Sequence, residues 1–119
     1  MTRAIVLFGH GSRDAQWRAP MDEVARRIRS RVAQVDVRCA FLELDRPALP
    51  DAIAELVEAG AGSIRVVPMF LGAGRHARED LPRIVEHCRH EHPTVTIELE
   101  PFVGEDARLL DLIATLALE

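Results

Sequence analysis

The stretch "AIVLFGHGSRD", residues 4–14, decides the fold. Its opening run, Ala4 to Phe8, is apolar and partly β-branched and is bounded by Gly9. That pattern reads as a short strand buried on both faces, as the strands of a helix-covered parallel sheet are. A helix follows the turn. Trp17, Met21, Val24, Ala25, Ile28 and Val32 recur at spacings of three and four, while Arg26, Arg27, Arg29 and Arg31 take the other side.

The same pair repeats three times. "VDVRCAFLE" (35–43) reads as strand two. In "RPALPDAIAELVEAG" (46–60), Pro47 or Pro50 sits in a first helical turn, and Leu49, Ile53, Leu56 and Val57 form a stripe that Gly60 ends. "SIRVVPMFL" (63–71) is a third buried strand, with Pro68 expected at a bulge or at the strand's carboxyl end, where a missing ladder bond is tolerated. "GAGRHARED" (72–80) reads as a loop, followed by a helix from about Leu81 to His92 with Ile84, Val85 and Cys88 inward. "TVTIELEPF" (94–102) is strand four, and "EDARLLDLIATLALE" (105–119) closes the chain as a helix. In that helix Leu109, Leu112, Ile113 and Leu116 are expected to face the core, leaving Leu110, Ala114 and Ala117 as a second apolar stripe.

Four strands alternating with four helices predict an α/β fold: a doubly wound, four-stranded, mostly parallel sheet with helices on both faces. Right-handed crossovers place strand one between strands two and three. A chain of 119 residues fits one domain, 1–119, with a radius of gyration of roughly 13–14 Å. Hydrophobic residues at 48% and charged residues at 29% are a globular balance. No apolar run approaches the roughly 20 residues of a membrane span, and the N-terminus reaches glycine and charge too early for a signal peptide. A cytoplasmic protein with no membrane partner is expected. Cys39 and Cys88 have no framework spacing and read as packing residues.

A net charge of −4 with 4% aromatic residues offers neither the positive field nor the stacking platform of a nucleic-acid surface. All 15 basic residues are arginine, so an anionic ligand would be gripped by planar forks. "GHGS" lacks both the six-position spacing of a dinucleotide fingerprint and the lysine of a P-loop. The end of strand three carries Phe70 and Leu71 where a receiver domain needs a phosphoacceptor carboxylate. Ser12 and His10 stand too close in one turn for a serine hydrolase pair, and no nucleophile elbow is present.

In open α/β sheets ligands bind outside the carboxyl ends of the strands, where the connections diverge. His10 lies just past strand one, Glu43 ends strand two and His76 follows strand three, so the three converge on one rim. Two imidazoles and a carboxylate suit an open site for a divalent first-row metal. Arg13, Arg75 and Arg78 surround that rim as candidate carboxylate clamps, with Ser12 as a helix cap or a substrate hydrogen-bonding group. Phe41, Leu42, Met69 and Phe70 at the strand ends are core or the floor of a binding site. His87, His90 and His92 beside Cys88, Glu86 and Glu91 read as a helix C-terminus favoured by its dipole.

"LFGHGSR", "AFLE" before a proline-bearing helix start, and "VVPMFLGAGRHAREDLP", in this order and spacing, resemble the small sirohydrochlorin chelatase family, the short cobaltochelatase type and its sirohaem-forming relatives. The resemblance runs from strand one through the third helix. It implies a chelatase-like half-molecule that inserts a divalent metal (cobalt first, then ferrous iron or nickel) into sirohydrochlorin without nucleotide and with no permanently bound cofactor. It also implies catalytic histidines at His10 and His76, a metal site of His10, Glu43 and His76, and a homodimer to cover a wide tetrapyrrole. The chain departs from the family in having Ala48 where relatives tend to have a small hydroxyl residue, and in its "EPFVGED" turn. A carrier that binds metal or tetrapyrrole without turnover is the alternative from another functional class.

Overall fold

A computed structural model of the chain describes residues 2–119. Four strands, β1 (Thr2–Gly9), β2 (Asp36–Phe41), β3 (Ala61–Pro68) and β4 (Thr96–Leu99), alternate with α1 (Ala19–Arg31), α2 (Leu49–Glu58), α3 (Arg75–Glu91) and α4 (Ala107–Leu118). Short 3-10 turns precede α1 (Ala15–Arg18) and α4 (Val103–Glu105). The sheet runs in the order β2-β1-β3-β4, and every neighbouring pair is parallel. Strand one therefore lies between two and three, as right-handed crossovers require.

Central position explains the composition of β1. Val6 and Phe8 point into a core built with α2 and α3, whose inward residues include Ile53, Leu56, Leu81 and Val85. Leu7 points the other way, into a second core with Met21 and Ala25 of α1 and with Val37 and Phe41 of β2. A strand with apolar neighbours on both faces has no polar alternation to show, which is why "AIVLF" is continuous. Each fully buried side chain of this size contributes about 2 kcal/mol. Pro68 is the last residue of β3, opposite Phe8, where its missing N–H interrupts nothing further along the ladder.

Three boundaries differ from the sequence reading. Trp17 belongs to a 3-10 turn and is 40% exposed, not the first rung of α1. Asp14, not Ser12, caps that turn by accepting from the Gln16 N–H, while the Ser12 hydroxyl accepts from the Asp14 N–H. Helix α3 begins at Arg75, so the second half of "GAGRHARED" is helical and Pro82 lies inside the helix. Proline at 82 resembles a helix start, but the backbone at Gly74 is extended and the helix already runs from the next residue.

The larger departure is α4. It touches the rest of the chain through the Val103–Glu105 turn, and of the residues expected to face the core Leu112, Ile113 and Leu116 are exposed and Leu109 is half-buried. The sheet is thus covered by α1 on one face and by α2 and α3 on the other, and α4 projects. The radius of gyration, 14.6 Å, exceeds the compact expectation accordingly. No helix among the described residues is long and apolar enough to cross a membrane.

Candidate active site

The carboxyl ends of the strands form one rim, and the chain binds its two central connections together there. The Leu42 N–H donates to the Gly9 carbonyl (2.9 Å) and the Glu43 N–H to the His10 carbonyl (3.0 Å), extending the β1–β2 pairing by two residues past the sheet. Gly11 makes this approach possible. Its φ of +102° lies in the region that side chains avoid, and an added Cβ would overlap the Glu43 carbonyl oxygen. A histidine followed by this glycine is consequently held with its ring over the β2 connection.

His10 Nε2 stands 3.4 Å from Glu43 Oε1, and both side chains are about half exposed, at 52% and 55%. The other ring nitrogen, Nδ1, donates to the Gly11 carbonyl at 3.2 Å, because a carbonyl can only accept. In the neutral ring that places the proton on Nδ1 and leaves the Nε2 lone pair aimed at carboxylate lone pairs. Two electron-pair donors facing each other are held together by a cation between them. Two ligands each about 2.1 Å from one tetrahedral ion stand about 3.4 Å apart. The pair has the spacing of two metal ligands and the exposure of a site that an ion can enter and leave.

His76 is the second residue of α3, exposed, at the same end of the sheet. It does not join the other two: among the described residues no group of three histidine, cysteine, aspartate or glutamate side chains could hold a metal ion. The expected set of His10, Glu43 and His76 is therefore assembled only as the His10–Glu43 pair. The physical reason is the early start of α3, which fixes His76 to a helical turn instead of a free loop. Cys39 and Cys88 do not substitute for it. Burial, with Asp22 beside one and Glu91 beside the other, pushes both thiols above their usual range, so neither offers a thiolate.

The first turn of α3 carries Arg75, His76 and Arg78 and no acidic residue, although this is the positive end of the helix. α1 and α2 each place an aspartate in that turn, Asp22 and Asp51. An anionic group from outside would relieve the excess. Arg75 is already paired with Glu79 at 3.0 Å; Arg13 and Arg78 have no carboxylate partner among the described residues. Arg46, which the sequence reading passed over, is in the same condition and lines a groove of about 940 Å³ with Glu43 and Asp45. Two large apolar side chains in the connections after β2 and β3 are exposed: Leu44 at 50% and Leu71 at 66%. Of the four aromatic and aliphatic residues proposed as core or floor, Phe41 is core, roofed by Trp17 and Arg18, and Leu42, Met69 and Phe70 are half-buried.

Comparison with known proteins fixes the family. The CbiX family model matches residues 4–119. The chain belongs to the CbiX family. A solved CbiX protein of Marinobacter aquaeolei VT8, described as a putative cobalamin biosynthesis protein, superposes with a TM-score of 0.82 at 33% identity, covering 97% of this chain and 93% of that one. The sirohydrochlorin chelatase SirB of Bacillus subtilis subspecies spizizenii, solved in complex with cobalt, superposes with a TM-score of 0.80 at 26% identity, covering 97% of this chain but 49% of SirB. Among curated relatives, the sirohydrochlorin cobaltochelatase of Methanococcus maripaludis is 37% identical over 82 residues, 69% of this chain and 57% of the relative. This CbiX-family chain thus spans less than two thirds of the length of that cobaltochelatase. The solved CbiX protein and SirB share this overall fold.

Residues that the motif reading missed in this CbiX-family chain have a common cause. Arg46, Leu44 and Leu71 sit in connections whose composition looks like any surface loop. Only their convergence on the rim distinguishes them, and periodicity carries no information about convergence.

Proposed function

We propose that the chain inserts a divalent metal, cobalt before ferrous iron or nickel, into sirohydrochlorin or a closely related tetrapyrrole without nucleotide and with no permanently bound cofactor. The metal is substrate. The observation that carries this reading is the His10–Glu43 pair, two lone-pair donors 3.4 Å apart and half exposed on the ligand-binding rim. Such a pair holds an ion weakly and in the open, as a donor to a macrocycle must. A structural metal site would instead be closed and fully coordinated.

Metallation also needs a base for the pyrrole N–H protons. An imidazole suits that exchange near neutral pH, since its ordinary pKa is about 6.5. His10 and Glu43 present the ion, and His76, free of any ion-pair partner among the described residues, takes protons from the ring. The peripheral carboxylates of the macrocycle meet Arg13, Arg46 and Arg78, with Arg75 released from Glu79 as a further clamp and the Ser12 hydroxyl as a neutral hydrogen-bonding group. Leu44 and Leu71 contact its flat apolar face. A tetrapyrrole is wide against a body this small, which supports a homodimer with the macrocycle between two rims. The protein works in the cytoplasm on this reading, with neither nucleic acid nor membrane as partner.

The test is anaerobic mixing of sirohydrochlorin with cobalt or ferrous ion at catalytic protein levels, followed by the absorption change of the macrocycle. Turnover in excess of protein supports the chelatase; stoichiometric binding without turnover supports the carrier. His10→Ala and His76→Ala are each expected to abolish turnover with unchanged circular dichroism. Near-normal rates in either variant would remove that residue from the reaction.

A further inference from the structure

The connection after β2 reverses at Leu44 through a turn that the backbone resists. The Asp45 N–H donates to the Glu43 carbonyl at 2.8 Å, closing a three-residue γ-turn with Leu44 at its centre and a φ of +63°. A positive φ at the centre makes this the rarer and strained of the two γ-turn forms. Glycine occupies the other positive-φ positions among the described residues, Gly11 and Gly60, where the missing Cβ removes the conflict. At position 44 the chain keeps leucine, and a bulky side chain in that region is an outlier that calls for a reason.

Packing does not supply it. Leu44 is 50% exposed and belongs to neither core. Its sequence neighbours Glu43, Asp45 and Arg46 are all charged, so the apolar surface at the apex of the turn is its own. The surroundings nonetheless hold the turn firmly. Both backbone groups of Glu43 are tied, the N–H to the His10 carbonyl at 3.0 Å and the carbonyl to Asp45, with Gly11 pressed against that same carbonyl. On the far side the Arg18 guanidinium lies over the Phe41 ring at 4.7 Å and reaches the Asp45 carboxylate at 3.4 Å. That carboxylate accepts from the Arg46 N–H at 2.7 Å, and the Phe41 N–H donates to the Pro47 carbonyl at 2.9 Å. Strained conformations persist where the surroundings over-determine them, and they collect at active sites and ligand clamps.

We propose that Leu44 is the fixed contact on which the apolar face of the macrocycle settles, held by the strained turn one residue from Glu43. An aliphatic side chain against a flat conjugated face excludes water and brings no charge to it. A turn that cannot relax fixes where that face stops relative to the ion that His10 and Glu43 present. The inference rests on the tetrapyrrole reading above and assigns the positioning of that substrate to one side chain. It also accounts for leucine where glycine would relieve the backbone, since function is a common reason for a locally unfavourable residue to be kept.

Binding of sirohydrochlorin without metal tests it, read by quenching of Trp17, the single tryptophan of the chain, which is 40% exposed beside Phe41. Leu44→Ala and Leu44→Gly are each expected to bind the macrocycle about tenfold more weakly, the loss of covering half a leucine side chain. Leu44→Met is expected to stay within about twofold of the parent, as a volume-conserving exchange does. Cobalt affinity by isothermal titration should remain parental in all three, because His10 and Glu43 are untouched. Thermal melts give the second readout. Leu44→Gly is expected to melt above Leu44→Ala, reversing the order these residues give at ordinary backbone positions. An alanine variant that melts above the glycine variant overturns the strained turn, and a cobalt affinity that falls with the macrocycle affinity overturns the contact. A parent that does not bind sirohydrochlorin overturns the tetrapyrrole reading and Leu44 with it; a parent that binds it, with Leu44→Ala binding equally well, overturns Leu44 alone.

Discussion

A single backbone position governs how the His10 imidazole is presented. Gly11 has a φ of +102° and lies against the Glu43 backbone, so Gly11→Ala adds both conformational strain and a clash with main chain that cannot rotate away. Strain of this kind costs about 1–3 kcal/mol. The expected outcome is a lowered denaturation midpoint and, because the β1 and β2 connections must separate, a larger fractional loss of metal affinity than of stability. Isothermal titration with cobalt beside chemical denaturation measures both; a variant with parental affinity would show that the two connections position nothing. The importance of this glycine was legible in "GHG", since glycine beside a chemically active residue marks close backbone approach. The pairing of His10 with Glu43 was legible too, because strands one and two are adjacent in any right-handed arrangement. Arg46 was not: an unpaired arginine cannot be told from a paired one until the surrounding carboxylates have coordinates.

Elements whose stability comes from the core were readable, and those whose ends depend on capping were not. β1, β2 and β3 emerge from continuous apolar runs because both their faces are buried. The start of α3 was hidden by Pro82 and by Gly74, which supplies a cap position without a capping side chain. Ala48 does the same for α2, where a hydroxyl would have announced the helix. α4 is the opposite case, a helix begun by a strong cap. The Arg108 guanidinium and backbone N–H beside Asp106 lower its carboxyl pKa from 3.8 to about 2. A depressed carboxylate pKa stabilises the folded form fully above the unfolded value and loses that contribution as pH falls through the folded one. Helicity of α4 is therefore expected to hold above about pH 4 and to decline towards pH 2. Asp106→Asn keeps a capping oxygen but has no proton to gain, so it isolates the effect. The difference between parent and variant in far-UV circular dichroism across that window reads the cap; identical acid profiles would assign the low-pH change to other carboxylates. The pair is solvent-exposed, so salt should diminish the difference.

The whole molecule is shaped by a mismatch between what its sheet can cover and what its last helix offers. α2 and α3 close one face and α1 covers β1 and β2 on the other, while over β3 and β4 the ion pairs of Arg65 border an open cleft lined also by Val67, Phe102 and Leu109. From sequence alone the two apolar stripes of α4 suggest one face for the core and a second for an interface or a thicker core, since periodicity counts faces but does not say what covers them. The homodimer proposed above would couple folding to association, and association obeys mass action. For a dimer of chains this size, unfolding coupled to dissociation predicts that each tenfold rise in protein concentration lifts the melting temperature by about 3 °C. Calorimetric scans over two decades of concentration measure this directly. A parent whose melting temperature ignores concentration would overturn the proposed homodimer, since a pair of chains that folds as one unit must gain stability as its concentration rises.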